Sequence, residues 1–183
     1  FGYKREGDLK FLKLNEGEYG YKTVAVSPML VNDKVISTFN IRNDIIDGKV
    51  DDAFEKLGFY YDIDGEVKKG DGLGTKISFP TANIDISAND MLLPRNGVYL
   101  VIVHLPDEQS QYGMANIGYK PTVSDKNTIS LEVHIFNFKK PLYQCKLRIS
   151  FVRYIRNEIK FESLTALREQ IVKDEIRCKE IMN

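Results

Sequence analysis

The sequence predicts a mainly β fold with added helix: a closed six-stranded antiparallel barrel followed by one long helix. Three observations predict it. Short apolar or alternating runs recur from Tyr61 to Ile155, each bounded by turn-forming residues. No helical periodicity separates these runs, which argues against βαβ units. After Ser163 the apolar residues change to helical spacing, at Leu164, Leu167, Ile171 and Val172.

Taken in order, Phe1 to Asp8 is glycine-bearing and charged and reads as a loop. Leu9, Phe11, Leu12 and Leu14 suit a short amphipathic helical turn. Tyr21 to Val26 reads as a strand with Val24 and Val26 on one face. A helix carrying Ile41, Ile45 and Ile46 stops at Gly48, and a second begins near Asp51 and stops at Gly58. One strand and short helices cannot enclose a core by themselves. Residues 1–57 are therefore expected to be a piece of something larger, and 58–183 a domain. Tyr61, Ile63, Gly65 and Val67 alternate as a half-buried strand should, and Phe79 to Ile86 is the next candidate. Val98 to Leu105 is nearly continuous apolar chain, as in a central strand, and Tyr112 to Ile117 pairs with it as a hairpin. In Ile129 to Phe138, Leu131, Val133 and Ile135 take one side, and Glu132, His134 and Phe136 the other. Lys146 to Ile155 completes the set, and the helix from Leu164 to about Ile181 is long enough to cross a barrel opening.

Composition narrows the function. The 183 residues carry 26 basic and 26 acidic side chains, a net charge of zero that gives no pull toward nucleic acid or a membrane. Cys145 and Cys178 have neither disulfide nor zinc spacing, so a reducing, cytoplasmic setting is expected. No apolar run reaches membrane-spanning length. A chain that opens on Phe1 rather than Met reads as an excerpt.

The stretch with chemical promise runs from Gly70 to Asn83. Gly70, Gly72 and Gly74 can bring backbone N–H groups close to a phosphate. Thr81 and Asn83, two apart, offer neutral oxygens for a Mg²⁺ whose charge the phosphates mostly meet. The spacing fits neither a P-loop nor a dinucleotide loop, and a plain hairpin turn is the alternative. Glu132 is a candidate base if its side of the strand meets substrate, and otherwise a solvated strand residue.

The Phe79-Pro80-Thr81-Ala82-Asn83 tail resembles the signature of the riboflavin kinase family. Three further segments match in order: Asn116-Ile117-Gly118 through Pro121-Thr122, Leu131-Glu132-Val133-His134, and Arg156 with Glu158, Lys160 and Phe161. The resemblance implies a Greek-key barrel closed on one side by the C-terminal helix, and a kinase phosphorylating the ribityl 5′-hydroxyl of riboflavin with Mg-ATP to give FMN. It implies Glu132 as general base, and Thr81 and Asn83 on the metal and ATP phosphates. Gly70, Gly72, Gly74 and Asn116 fall on the nucleotide side, and Arg156, Glu158 and Phe161 at the flavin. His134 is expected to be structural or solvated. Ser78 stands where the family usually has Gly, as does Gln144.

Residues 1–57 resemble the end of the FMN adenylyltransferase domain of bifunctional riboflavin kinase/FAD synthetases, through Phe1-Gly2, Gly7-Asp8, Ile36-Ser37 and Ile41-Arg42. That implies phosphate contacts for Ser37 and Arg42 in an upstream nucleotidyltransferase domain of the same parent chain. The histidine motif of that domain has no counterpart here, since the two histidines are His104 and His134, so this chain is not expected to adenylate FMN. The rival readings are a flavin- or nucleotide-binding regulatory module without turnover, and a small-barrel interaction protein.

Overall fold

The computed structural model describes residues 2–70, 72–87, 91–120 and 128–183. It divides into two compact units, Phe1–Ile36 and Ser37–Asn183.

In the first unit a 3₁₀ turn, Tyr3–Arg5, precedes helices α1 (Leu9–Leu14) and α2 (Glu16–Tyr19). The Asp8 carboxylate caps α1 by accepting from the Phe11 N–H at 2.8 Å. Strands β1 (Leu30–Val31) and β2 (Lys34–Val35) form a two-residue hairpin whose turn, Asn32-Asp33, has φ of 50° and 60°. The strand expected over Tyr21–Val26 does not form. Val24 and Val26 are exposed there, and alternation without a partner strand has nothing to pair with or bury against.

The second unit opens with α3 (Thr38–Ile46) and α4 (Val50–Leu57). Lys56 and Asp44 pair at 2.6 Å across the two helices. Gly48 turns the chain between them with φ of 79°, and the Tyr99 hydroxyl lies 3.0 Å from where a Cβ would stand. Strands β3 (Tyr61–Lys68), β4 (Ala82–Asp85), β5 (Gly97–His104), β6 (Ser110–Lys120), β7 (Thr128–Ile135) and β8 (Lys146–Arg156) close into a barrel. Its order is β3-β4-β7-β6-β5-β8, antiparallel throughout. Strands β5, β6 and β7 are successive hairpin neighbours and β8 returns beside β5, which is the Greek-key connection. The six strands and the terminal helix α6 (Leu164–Met182) are those expected.

Three features differ from expectation. The glycine stretch contains a single helical turn, α5 (Leu73–Lys76), and β4 starts only at Ala82 because the Phe79 N–H is held by the Gly74 carbonyl at 2.8 Å. Val50 of α4 is fully buried in the barrel core cluster with Tyr99, Ile63 and Phe151, so helix α4 contributes to the barrel core. Helix α6, capped by Ser163 accepting from the Ala166 N–H, lies against the outer wall rather than across an opening. Its Cys178 packs with Leu100, Met114 and Phe136, outward-facing residues of a wall that is apolar where the helix covers it.

Candidate active site

The inside of the barrel is filled by Leu131, Val133, Ile135 and their counterparts on the other strands. Alternation then places Glu132 and His134 on the outer face. That face is not open water, because the segment after β8 and helix α6 stand over it and leave a cleft. The cleft is lined by Gly74, Phe79, Thr81, Asn116, Glu132, His134, Arg156, Glu158, Phe161 and, from α6, Leu167, Ile171 and Asp174.

Sheet register explains the convergence. Glu132 on β7 sits directly opposite Asn83 on β4 and Asn116 on β6. Asn116 is opposite Val98 on β5, which is opposite Arg156 on β8. Residues directly opposite share a face, so residues from four distant motifs form one row across the outer wall. At its β4 end the Thr81 hydroxyl donates to Glu132 Oε2 at 3.3 Å. His134 sits one outward position along β7, its Nδ1 2.8 Å from the Pro80 carbonyl oxygen and its ring edge-on to Phe79. That bond ties the Phe79-Pro80-Thr81 segment to β7, and the His134 side chain also lines the cleft.

At the other end Arg156 is clamped by Asp174. Nε donates to both carboxylate oxygens at 2.9 Å, and Nη2 to Oδ2 at 2.7 Å. Its guanidinium stands 5.9 Å from the centre of the Phe161 ring. Glu158 reaches over Gly118, in space that a side chain at 118 would occupy. Among these described residues three carboxylates, Glu132, Glu158 and Asp174, face one guanidinium, Arg156.

The glycines divide by position. Gly74 lines the cleft, Gly70 backs directly onto the Asn83 side chain, and Gly72 takes φ of 68° ahead of α5. Asn83 is in the row but outside the cleft lining. Ser37 caps α3 by accepting from the Asn40 N–H at 3.2 Å, and Arg42 is exposed on the same helix; neither lines the cleft. Pro121 and Thr122 lie outside the described residues.

Two groups escaped the sequence reading. Asp174 is the acidic break on the α6 face that carries Leu167 and Ile171, a visible signal whose partner is not local. The Lys139-Lys140 turn, with Thr75, Pro80, Val133 and Tyr143, lines a second hollow that shares Thr81 with the cleft.

A family model described as flavokinase, riboflavin kinase, matches residues 57–182. The chain belongs to the riboflavin kinase family. Similar curated proteins are named bifunctional riboflavin kinase/FMN adenylyltransferase. The one from Buchnera aphidicola subsp. Schizaphis graminum is 39% identical over 95% of this chain and 56% of its own length. That of Listeria monocytogenes is 37% identical over 96% and 55%. A solved structure described as a macrolide-efflux protein from Streptococcus pneumoniae superposes with TM-score 0.86 and 30% identity, over 98% of this chain and 57% of that one. The chain thus spans about half the length of the curated relatives it matches. The matched residues 57–182 contain the six-stranded barrel and α6. Among the described residues no helix is long and apolar enough to cross a membrane.

Proposed function

We propose that the cleft transfers the γ-phosphoryl group of ATP to the ribityl 5′-hydroxyl of riboflavin, giving FMN and ADP. The observation that carries this reading is the row Asn83, Glu132, Asn116 across adjacent strands, with Thr81 hydrogen-bonded to Glu132 at its edge. Glu132 accepts the hydroxyl proton as that oxygen attacks the γ-phosphorus and the bond to the β–γ bridging oxygen breaks. The Thr81 hydroxyl donates to Glu132 Oε2 at 3.3 Å and helps to fix the carboxylate in the cleft.

The flavin lies toward Phe161, whose ring offers an apolar face, with Arg156 and Glu158 supplying polar contacts at the same end. The nucleotide lies on the far side of Thr81, its phosphates passing Gly74 and the base toward the second hollow, where Lys139 and Lys140 offset anionic charge. Gly70 and Gly72 shape that side of the loop.

The residues present fit a divalent cation of one kind. Thr81 and Asn83 are neutral oxygen donors, and among the described residues no group of three or more His, Cys, Asp or Glu could hold a metal. Mg²⁺ would take most of its ligands from the triphosphate and offset phosphate charge.

Residues 1–57 are, on this reading, the end of an adenylyltransferase domain whose parent converts FMN to FAD, with Ser37 and Arg42 remnants of its phosphate site. The test is incubation with riboflavin, Mg²⁺ and ATP, followed by chromatography. FMN and ADP in equal amounts support the reading. Flavin binding without FMN would favour a regulatory module, and the absence of both binding and turnover would contradict the assignment.

A further inference from the structure

We infer that Asp174 and Gln170 of α6 are positioning residues for riboflavin, acting by fixing the Arg156 guanidinium at the flavin end of the cleft. The inference rests on the proposed placement of the flavin beside Arg156 and Phe161.

Arg156 is the last residue of β8, where the chain leaves the barrel, and nothing in a strand end fixes a long side chain. Asp174 supplies what the strand does not. Its side chain is 5% exposed and that of Arg156 18%, so the pair is largely withdrawn from water. Both carboxylate oxygens accept from the guanidinium, and the Gln170 amide donates to Oδ1 at 2.8 Å. Gln170 is one helical turn before Asp174 and holds it from the same face. Arg156 Nη1 also donates to the Asn157 carbonyl at 2.8 Å, at the root of the segment that carries Glu158 and Phe161. The guanidinium is thereby held in one plane over Phe161, while its charge is cancelled locally. A neutral ring system then meets a pre-set donor edge rather than a mobile cation, which reduces the ordering cost of binding.

The competing account is that the pair only fastens α6 to the barrel. A fastening role lowers thermal stability and affects every kinetic parameter together. A positioning role raises KM for riboflavin and spares KM for ATP. Steady-state FMN formation and riboflavin-fluorescence titration on Arg156→Ala, Asp174→Asn and Gln170→Ala, with melting temperatures, separate the two. For Asp174→Asn the expected rise in riboflavin KM is about tenfold, from the loss of charge-assisted hydrogen bonds. For Gln170→Ala it is about threefold, with ATP KM within about twofold in both. Should Asp174→Asn not fold, Gln170→Ala decides, because it leaves the ion pair intact. Wild-type riboflavin KM in the folded variants, alongside a raised value in Arg156→Ala, would overturn the inference, as would an equal loss across all parameters. An unchanged riboflavin KM in Arg156→Ala itself would instead overturn the placement of the flavin.

Discussion

A methyl group at position 118 would stand where the Glu158 carboxylate lies. The neighbours it meets, the Glu158 carboxyl and the Asn116 amide at 3.2 Å, are far ends of flexible side chains, so the backbone has no need to move. Gly118→Ala is therefore expected to keep the melting temperature of the wild type and to swing Glu158 away from the end of the cleft proposed for the flavin. Riboflavin KM should rise about threefold to tenfold, or roughly 0.7–1.4 kcal/mol of lost acceptor binding, with ATP KM unchanged. Steady-state kinetics with each substrate varied in turn would check this. A large drop in melting temperature would mean that Glu158 cannot yield and that the position is structural. Glu132 differs in kind, since its neighbours Thr81, Asn83 and Asn116 surround it through sheet register rather than through one contact.

At the scale of elements, two turns carry strain that can be relieved. Ser78 has φ of 68° and Gln144 φ of 65°, a region that costs a side-chain-bearing residue about 1–2 kcal/mol. Glycine avoids that cost but loses more chain entropy on folding. Ser78→Gly and Gln144→Gly should each be stabilising by about 0.5–1 kcal/mol, which thermal denaturation reads as roughly 1–4 °C. A fall in melting temperature for both would contradict the strain argument. These were the two positions at which the family usually has glycine, so the sequence marked them, but a departure from a motif does not say whether the backbone changes or the residue tolerates it. Here the positive φ is kept.

The α6 helix allows a second test. Burial, reinforced by the nearby Asp174 carboxylate, pushes the Cys178 thiol up to about 12. Its raised value adds stability that is complete below the ordinary thiol value of 9.0 and is lost as pH climbs from there toward about 12. Cys178 should resist alkylation in the native protein at pH 8 and react once unfolded, as mass spectrometry would record.

The strands and α6 were legible because turn residues bound each run and the period changes at Ser163. The Tyr21–Val26 pattern misled because alternation describes a strand only where a partner exists. Which face of β7 lines the cleft could not be read, since alternation separates two faces without saying which is inside. The Arg156–Asp174 pair was hidden for a related reason: it joins two elements that only tertiary packing brings together.

For the whole molecule, the compact unit begins at Ser37, ahead of residue 57 where the family match begins. Val50 accounts for part of that difference, being fully buried in the barrel core. A chain beginning at residue 37 should fold and retain kinase activity, whereas one beginning at 58 should melt earlier because the barrel core loses Val50. Val50→Ala in the full chain should cost about 2 kcal/mol, measured by denaturant unfolding. Equal stability of the two truncated chains would mean that α3 and α4 are dispensable to the barrel. The barrel's larger role is to bring residues far apart in the chain into one row on its outer wall, where we propose that phosphoryl transfer takes place. The most direct test is the single-turnover rate of FMN formation by Glu132→Gln, measured with riboflavin affinity on the same preparation. A fall of about 10²–10⁴-fold in rate, with affinity within about threefold of wild type, is the predicted result. Formation of FMN at the wild-type rate by the folded variant would contradict it.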